Sequence, residues 1–232
     1  QPLFTTSGGA TQPITVQPLL ADNPQGGTQV FFGTGKFNET ADKLNKDLQG
    51  FYSIWDATGG AGQITVSNLQ AQSITGVFSG STGQFVTTSQ TDVAYPSKKG
   101  WYLPLVYNNV LTGERVINPA NLVSGRVVFT TAAVDTTDPC ASFGTGKLIE
   151  VDAFNGKMLN YAVLDTNGDG KLNSSDTISS GVVFTGGIPT LSAVVSASGA
   201  TNMIVNDSSG NITELLEKSV GGSRRIMWRQ IQ

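Results

Sequence analysis

"KLIEVDAFNGKMLNYAV", residues 147–163, has the form of a strand, an acidic turn and a second strand. Asp152 closes the first apolar run, and Asn155-Gly156 is the dipeptide that best tolerates the positive φ of a two-residue hairpin. The form recurs in "FYSIWDATGGAGQITV", residues 51–66, with Asp56 and Gly59, and in "NMIVNDSSGNITELL", residues 202–216, with Asp207 and Gly210. "FFGTGK" at 31–36 and "SFGTGK" at 142–147 form a second echo, each ahead of one of these units. Repeated hairpins are the mark of radial β repetition, so the expected fold is all-β, a β-propeller. Three units are visible, while a propeller closes with at least about four blades. Residues 1–232 therefore read as one domain or fragment, either the C-terminal blades of a longer propeller or a propeller with some degenerate blades. A β-sandwich would account for many short strands but not for the repeated acidic turn.

Working outward, further runs rich in Val, Ile, Phe, Tyr and Thr are bounded by Gly, Asn, Asp and Ser. They predict strands over 28–33, 51–56, 72–78, 84–89, 100–107, 125–134, 147–153, 157–164, 181–184, 191–198, 202–207, 211–217 and 224–230. One segment differs. "TADKLNKDLQ", 40–49, sets Leu44 and Leu48 four apart with Thr40 as a candidate N-cap, which predicts a short helix on an insertion over about 38–49.

Charged residues make up 13% of the 232 residues, glycines number 28, and the net charge is −3, a mix that suits strands and turns and leaves no track for nucleic acid. Arg224, Arg225 and Arg229 are too few and too interleaved with Ile226, Met227 and Trp228 to make one. No apolar stretch approaches the ~20 residues of a membrane helix. The opening "QPLFTTSGG" has no signal-peptide pattern and reads as a processed or excised piece. With Cys140 the single cysteine, no internal disulfide is possible. Histidine is absent, which removes imidazole metal sites, Ser-His and Cys-His chemistry and the commonest general base.

The chemistry lies in "DTNGDGKLNSSD", residues 165–176, which fits D-x-[DN]-x-[DN]-G-x5-[DE]. Asp165, Asn167 and Asp169 occupy the first, third and fifth positions, and Gly170 makes the sharp turn. Lys171 offers its backbone carbonyl, Leu172 an apolar anchor, Asn173 a ninth-position oxygen and Asp176 the closing carboxylate. Calcium takes six to eight oxygens in flexible geometry, which such a loop can supply, and it relieves the mutual repulsion of three aspartates. Asp176 is one methylene shorter than the usual Glu, and the expected flanks are strands, so this is an EF-hand-like loop without the helix pair of a sensor.

Other candidates are weaker. Both "GTGK" copies lack the earlier glycine and the following Ser or Thr of a phosphate loop, and read as glycine-kinked strand ends. Phe51, Tyr52, Trp55, Trp101 and Tyr102 read as core ahead of a sugar or peptide platform. Asp135, Asp138 and Cys140 in "DTTDPC" read as a turn, and Asn38, Asn173, Asn206 and Asn211 are chance N-x-[ST] matches in a chain this rich in Asn, Ser and Thr.

"VFFGTGKF" (30–37), "GFYSIWD" (50–56), "GWYLPL" (100–105), "GERVINPANLVSGRVVFTT" (113–131), "DPCASFGTGKLIEVDAFNGKML" (138–159), the acidic loop and the terminal "RRIMWRQIQ" (224–232) together resemble the C-terminal domain of the PilC/PilY family. The resemblance runs in family order over nearly the whole chain. It implies the later part of a modified, quinoprotein-like β-propeller, in proteins whose variable N-terminal region, often von Willebrand A-like, is not part of this sequence. It implies action in type IV pilus biogenesis, surface adhesion and the balance of extension against retraction, with calcium opposing retraction. The implied partners are minor pilins or other pilus-tip components and a host or abiotic surface, with no nucleic acid and no membrane span. The implied place is the cell surface at the pilus tip, or in association with the outer membrane. The matching ligand positions are Asp165, Asn167, Asp169, Asn173 and Asp176, with Lys171 through its carbonyl. The family propeller is longer than this chain, so an isolated piece would lack blades.

The expectation is thus a non-enzymatic, calcium-binding adhesion and assembly module. A calcium-stapled surface or cell-wall module without a pilus link is the alternative. A propeller enzyme, quinoprotein or glycosidase, is a remoter one, since no facing carboxylate pair stands out in the sequence.

Overall fold

The structure, a computed structural model, describes residues 1–60, 62–134, 144–197 and 200–218. Cys140, Asp135, Asp138, the arginine cluster and the strand predicted over 224–230 lie outside the described residues. In chain order the strands are β1 (Leu19–Asp22), β2 (Thr28–Gly33), β3 (Gly50–Asp56), β4 (Gln70–Ala71), β5 (Ile74–Ser79), β6 (Gln84–Thr88) and β7 (Gly100–Pro104). There follow β8 (Asn121–Val123), β9 (Arg126–Thr130), β10 (Gly146–Asp152), β11 (Gly181–Phe184), β12 (Pro189–Ala197), β13 (Ala200–Asp207) and β14 (Ile212–Glu217). The described helices are short 3-10 turns, and none is long and apolar enough to cross a membrane.

Among the described residues three sheets form, ordered β1-β2-β3-β7-β4, β5-β6-β11-β10-β9-β8 and β12-β13-β14, all antiparallel except for the β4–β7 pair. The second sheet lies between the other two because its inner strands β9 and β10 are apolar on both faces. In β9, Val127 and Phe129 face the first sheet and Val128 the third; in β10, Ile149 and Val151 face the first and Leu148 the third. The first interface joins Phe31, Phe51, Trp101 and Leu103 to these residues, with the Phe51 and Phe129 rings stacked 3.9 Å apart. The second joins Phe85, Val182 and Phe184 to Met203 and Val205 of β13. The first sheet's far face, with Phe32, Tyr52 and Ile54, is covered by Ile64, Leu69, Leu3 and Phe4. On the third sheet's far face, Val195 and Ile212 are 50% and 72% exposed.

The all-β expectation holds, and two stretches, 28–33 and 181–184, are strands over the predicted span. Among the described residues the sheets have five, six and three strands and form no closed ring, so neither a closed propeller nor a quinoprotein fold is observed there. Of the three predicted hairpins, only the one at Asp207 forms, as β13–β14. After Asp56 the chain makes a parallel bridge from Ile64 to Phe4 and a 3-10 turn over Val66–Asn68. After Asp152 it turns as predicted but does not return as a strand over 157–164: within that span only Leu164 forms a bridge, to Glu217. Leu159, Val163 and Leu164 instead pack among the residues that fill the space between the second and third sheets. Gly156 (φ 66°) makes that turn, and a Cβ there would lie 2.2 Å from the Trp101 ring, whose Nε1 donates to the Ala153 carbonyl.

The predicted helix over 40–49 is a 3-10 turn, Thr40–Lys43, capped by Glu39 and not by Thr40; Leu44 and Leu48 are exposed. Arg115, itself buried, fixes the segment: its guanidinium donates to the carbonyls of Lys36, Asp42, Asn45 and Gly113. Carbonyls taken by a guanidinium in this pattern hold a folded-back loop, and two leucines with no apolar face to meet give a helix nothing to bury.

Phe129→Ala removes one ring of the stacked pair at the centre of the first interface. It is expected to cost about 3–5 kcal/mol in urea denaturation, as for large aromatic truncations in packed cores. A loss under about 1 kcal/mol would mean the two sheets do not depend on this contact.

Candidate metal centre

The chain enters the acidic loop at Leu164, held by its bridge to Glu217, and leaves it toward β11. Aspartate and asparagine oxygens accept neighbouring backbone N–H groups and curl the loop on itself. Asp165 accepts from Gly168 at 2.7 Å and Gly170 at 2.8 Å, Asn167 from Asp169 at 2.9 Å, Asp169 from Lys171 at 2.8 Å, and Asn173 from Ser175 at 2.7 Å. Gly168 and Gly170 take φ of 76° and 75°, which gives the sharp turn expected at Gly170. Asp176 is buried and ties the two ends together, accepting from Thr166 and Asn167 through one oxygen and from Asn173 through the other.

The loop is braced from outside. Buried Thr166 accepts through its carbonyl from Ser81 N–H at 3.0 Å and through its hydroxyl from Thr177 N–H at 2.8 Å, while the Thr82 hydroxyl donates to the Asp165 carbonyl. Ser81 and Thr82 belong to the β5–β6 turn, 83 or more residues earlier, and no spacing rule in the sequence pointed to them. Leu172, expected as an apolar anchor, is half-buried and lines, with Ile178, a cavity of about 420 Å³ that also includes Asn160, Tyr161, Asn173 and Lys218.

The residues present fit calcium in donor chemistry: every candidate side chain offers a hard oxygen, and Asp165, Asn167, Asp169 and Asn173 retain acceptor capacity beyond their turn bonds. Asp176 is the most committed internally. Among the described residues, no three acidic side chains are gathered as a preformed metal cluster. The loop thus has the donors and the turn, while the carboxylates are not drawn together here.

The other candidates have structural roles. Lys36 pairs with Glu39 at 3.1 Å and Asp42 at 3.4 Å, and Lys147 pairs with Glu114, so the lysines of both "GTGK" copies are spent on ion pairs. Phe51, Tyr52, Trp55 and Trp101 are buried; Tyr52 stacks on Phe32 and on half-buried Tyr102, and Trp55 Nε1 donates to the Gly26 carbonyl. Sequence reasoning missed a fully buried cluster of Arg126, Glu150 and Glu217. Its signal was a charge inside each of three apolar strand runs, "GRVVF", "KLIEV" and "ELLE".

No family model matches the chain. It is 30% identical over 200 residues to the type IV pilus biogenesis factor PilY1 of Pseudomonas aeruginosa, covering 77% of this chain and 17% of that protein. PilY1 homologues of Xylella fastidiosa match at 29% over 240 residues, with 99% of this chain and 19% of theirs, and at 33% over 191 residues, with 80% and 13%. The crystal structure of the Pseudomonas aeruginosa PilY1 C-terminal domain superposes with a TM-score of 0.74 at 27% identity, over 94% of this chain and 48% of that one. The chain belongs to the PilY1 family. It spans less than a fifth of the curated PilY1 proteins and about half of the solved PilY1 C-terminal domain. The PilC/PilY resemblance read from the sequence is thereby confirmed.

Asp176 and Asp169 are expected to separate on mutation in chelator. Asp176→Ala strips the acceptors of several backbone N–H groups, one at a buried residue, and should cost about 1–3 kcal/mol. Asp169→Ala, exposed, should stay within about 0.5 kcal/mol. Urea denaturation without calcium reads both, and equal losses would count against a distinct tie at Asp176.

Proposed function

We propose that this domain is a non-enzymatic, calcium-binding module of a type IV pilus biogenesis factor. In this reading it acts in pilus assembly, in surface adhesion and in the balance of extension against retraction. Its place is the cell surface at the pilus tip, and its partners are minor pilins or other tip components and the surface being gripped. The stacked sheets, each burying alternate residues against the next, support reading it as a run of blades from a longer propeller. Its kinship with the PilY1 type IV pilus biogenesis factors supports the pilus role.

The observation that carries the calcium reading is the loop itself. Six oxygen positions within twelve residues, Asp165, Asn167, Asp169, the Lys171 carbonyl, Asn173 and Asp176, are folded about Gly170, braced at the entry by the β5–β6 turn and closed by Asp176, which ties the exit to the entry. When bound, calcium would supply charge neutralisation and order. The chain's own residues hold the rim of the module in one shape. The carboxylates that do meet in the core, Glu150 and Glu217, are sealed from solvent, which supports a holding role over glycoside chemistry.

Calorimetric titration with calcium tests the site. The wild-type chain is expected to bind one ion and to gain about 2.7 kcal/mol at a hundred times the dissociation constant. Asp165→Ala with Asp169→Ala should abolish both the heat and the gain. Heat of equal size from wild type and double variant would refute the assignment. In a strain carrying the double variant, unchanged piliation and surface motility would remove the regulatory part of the reading and leave calcium as a staple.

A further inference from the structure

We propose that Glu150 and Glu217 share a single proton beside Arg126, and that this buried acid–carboxylate pair is a pH-operated latch holding the sheet β12–β14 onto the central sheet. Arg126 of β9 and Glu150 of β10 point from the central sheet toward the third; Glu217 ends β14 and points back. All three are at most 1% exposed. Arg126 Nε donates to Glu150 Oε1, and Nη2 donates to Glu217 Oε1 and to the Lys218 carbonyl, each at 2.7 Å.

The remaining atoms carry the inference. Among the described residues, Glu150 Oε2, Glu217 Oε2 and Arg126 Nη1 are buried with no partner. Two ionised carboxylates are acceptors only, so neither oxygen can satisfy the other. One proton between them turns the pair into donor and acceptor. It also brings the cluster from one cation and two anions to neutrality, which a dry site demands. Burial, and then the Glu150 charge, pushes the Glu217 carboxyl up to about 10. Burial raises Glu150 as well, while Arg126 and the bond to Glu217 pull it back. For Arg126, burial is outweighed by the two carboxylates, with the Tyr161 hydroxyl adding to them, and the guanidinium is held above its usual value.

Among the described residues, the other ionisable groups around the cluster are few. Asp152 sits across from Arg126 on β10, but one of its oxygens accepts from Phe154 and Asn155. Lys218 reaches the cluster through its carbonyl, and Tyr161 comes from the segment that fills the gap between the sheets. Thr201, across from Glu217 on β13, does not titrate. The latch also has leverage: Lys218 N–H donates to the Val163 carbonyl and Glu217 bridges Leu164, so the end of β14 holds the segment entering the acidic loop.

Folding takes up this proton. Unfolded, Glu217 ionises above its ordinary value of about 4.5, whereas folded it keeps the proton to about 10. The contribution is fully present below the lower value, and each pH unit between the two lowers the folding equilibrium constant about tenfold. Glu217→Gln carries a permanent donor in nearly the same shape.

Denaturation of the whole chain from pH 5 to 9 tests this. The wild type should lose about tenfold more per pH unit than Glu217→Gln, and the variant should be the more stable at pH 8. At that pH, amides of β14 should exchange more slowly in the variant. Carboxyl carbon NMR of the wild type should show one of the two glutamates protonated at pH 7, a readout that survives if the variant fails to fold. A destabilised variant with an unchanged pH slope, equal exchange in β14, or two ionised carboxylates at pH 7 would each overturn the proposal.

Discussion

The structure depends on two inner strands of the central sheet, β9 and β10, that are dry on both faces. They alternate Val127, Val128, Phe129 and Leu148, Ile149, Val151 between two neighbours, so both cores between sheets are built on them. Burial at about 25 cal/mol per Å² rewards that arrangement. It also raises the cost of any charge placed at an inward position. Arg126 and Glu150 occupy such positions, and they persist because each finds an opposite charge, with β14 bringing the third member.

Much of this was legible in the chain. Thr28–Gly33 and Gly181–Phe184 were readable because β-branched and aromatic residues run between glycine or loop punctuation. Leu19–Asp22, Gln70–Ala71 and Asn121–Val123 were not, since each is short and lies at or near a sheet edge, where pairing is decided by a distant neighbour. The segment 157–164 has the composition of a strand, yet Leu159, Val163 and Leu164 serve as filler between layers. Leu44 and Leu48 have helical spacing but no face to bury against, and the guanidinium that decides their backbone lies about 70 residues away.

The acidic loop was legible for a different reason: its oxygens are consecutive, so a single stretch of sequence holds the whole donor set. What surrounds it was not. Ser81 and Thr82 brace it from another hairpin, and Asp176 proved to be a tie between the loop's own ends as much as a ligand position. The blade repeat was over-read from Asp56 and Asp152, where an acidic turn exists without a returning strand. An Asp-Gly turn signals only that the chain reverses; what it does afterwards depends on which neighbour is free to pair.

Arg115 has a consequence for how this surface can vary. It grips Lys36, Asp42, Asn45 and Gly113 through main-chain oxygens alone, so it is indifferent to most of the side chains on the loop it secures. Residues such as Lys43, Leu44 and Lys46 are free to be exchanged without loosening the frame, while Lys in place of Arg115 would lose the planar fork that reaches several oxygens at once. The protein thereby carries a patch whose side chains are uncoupled from the backbone that displays them.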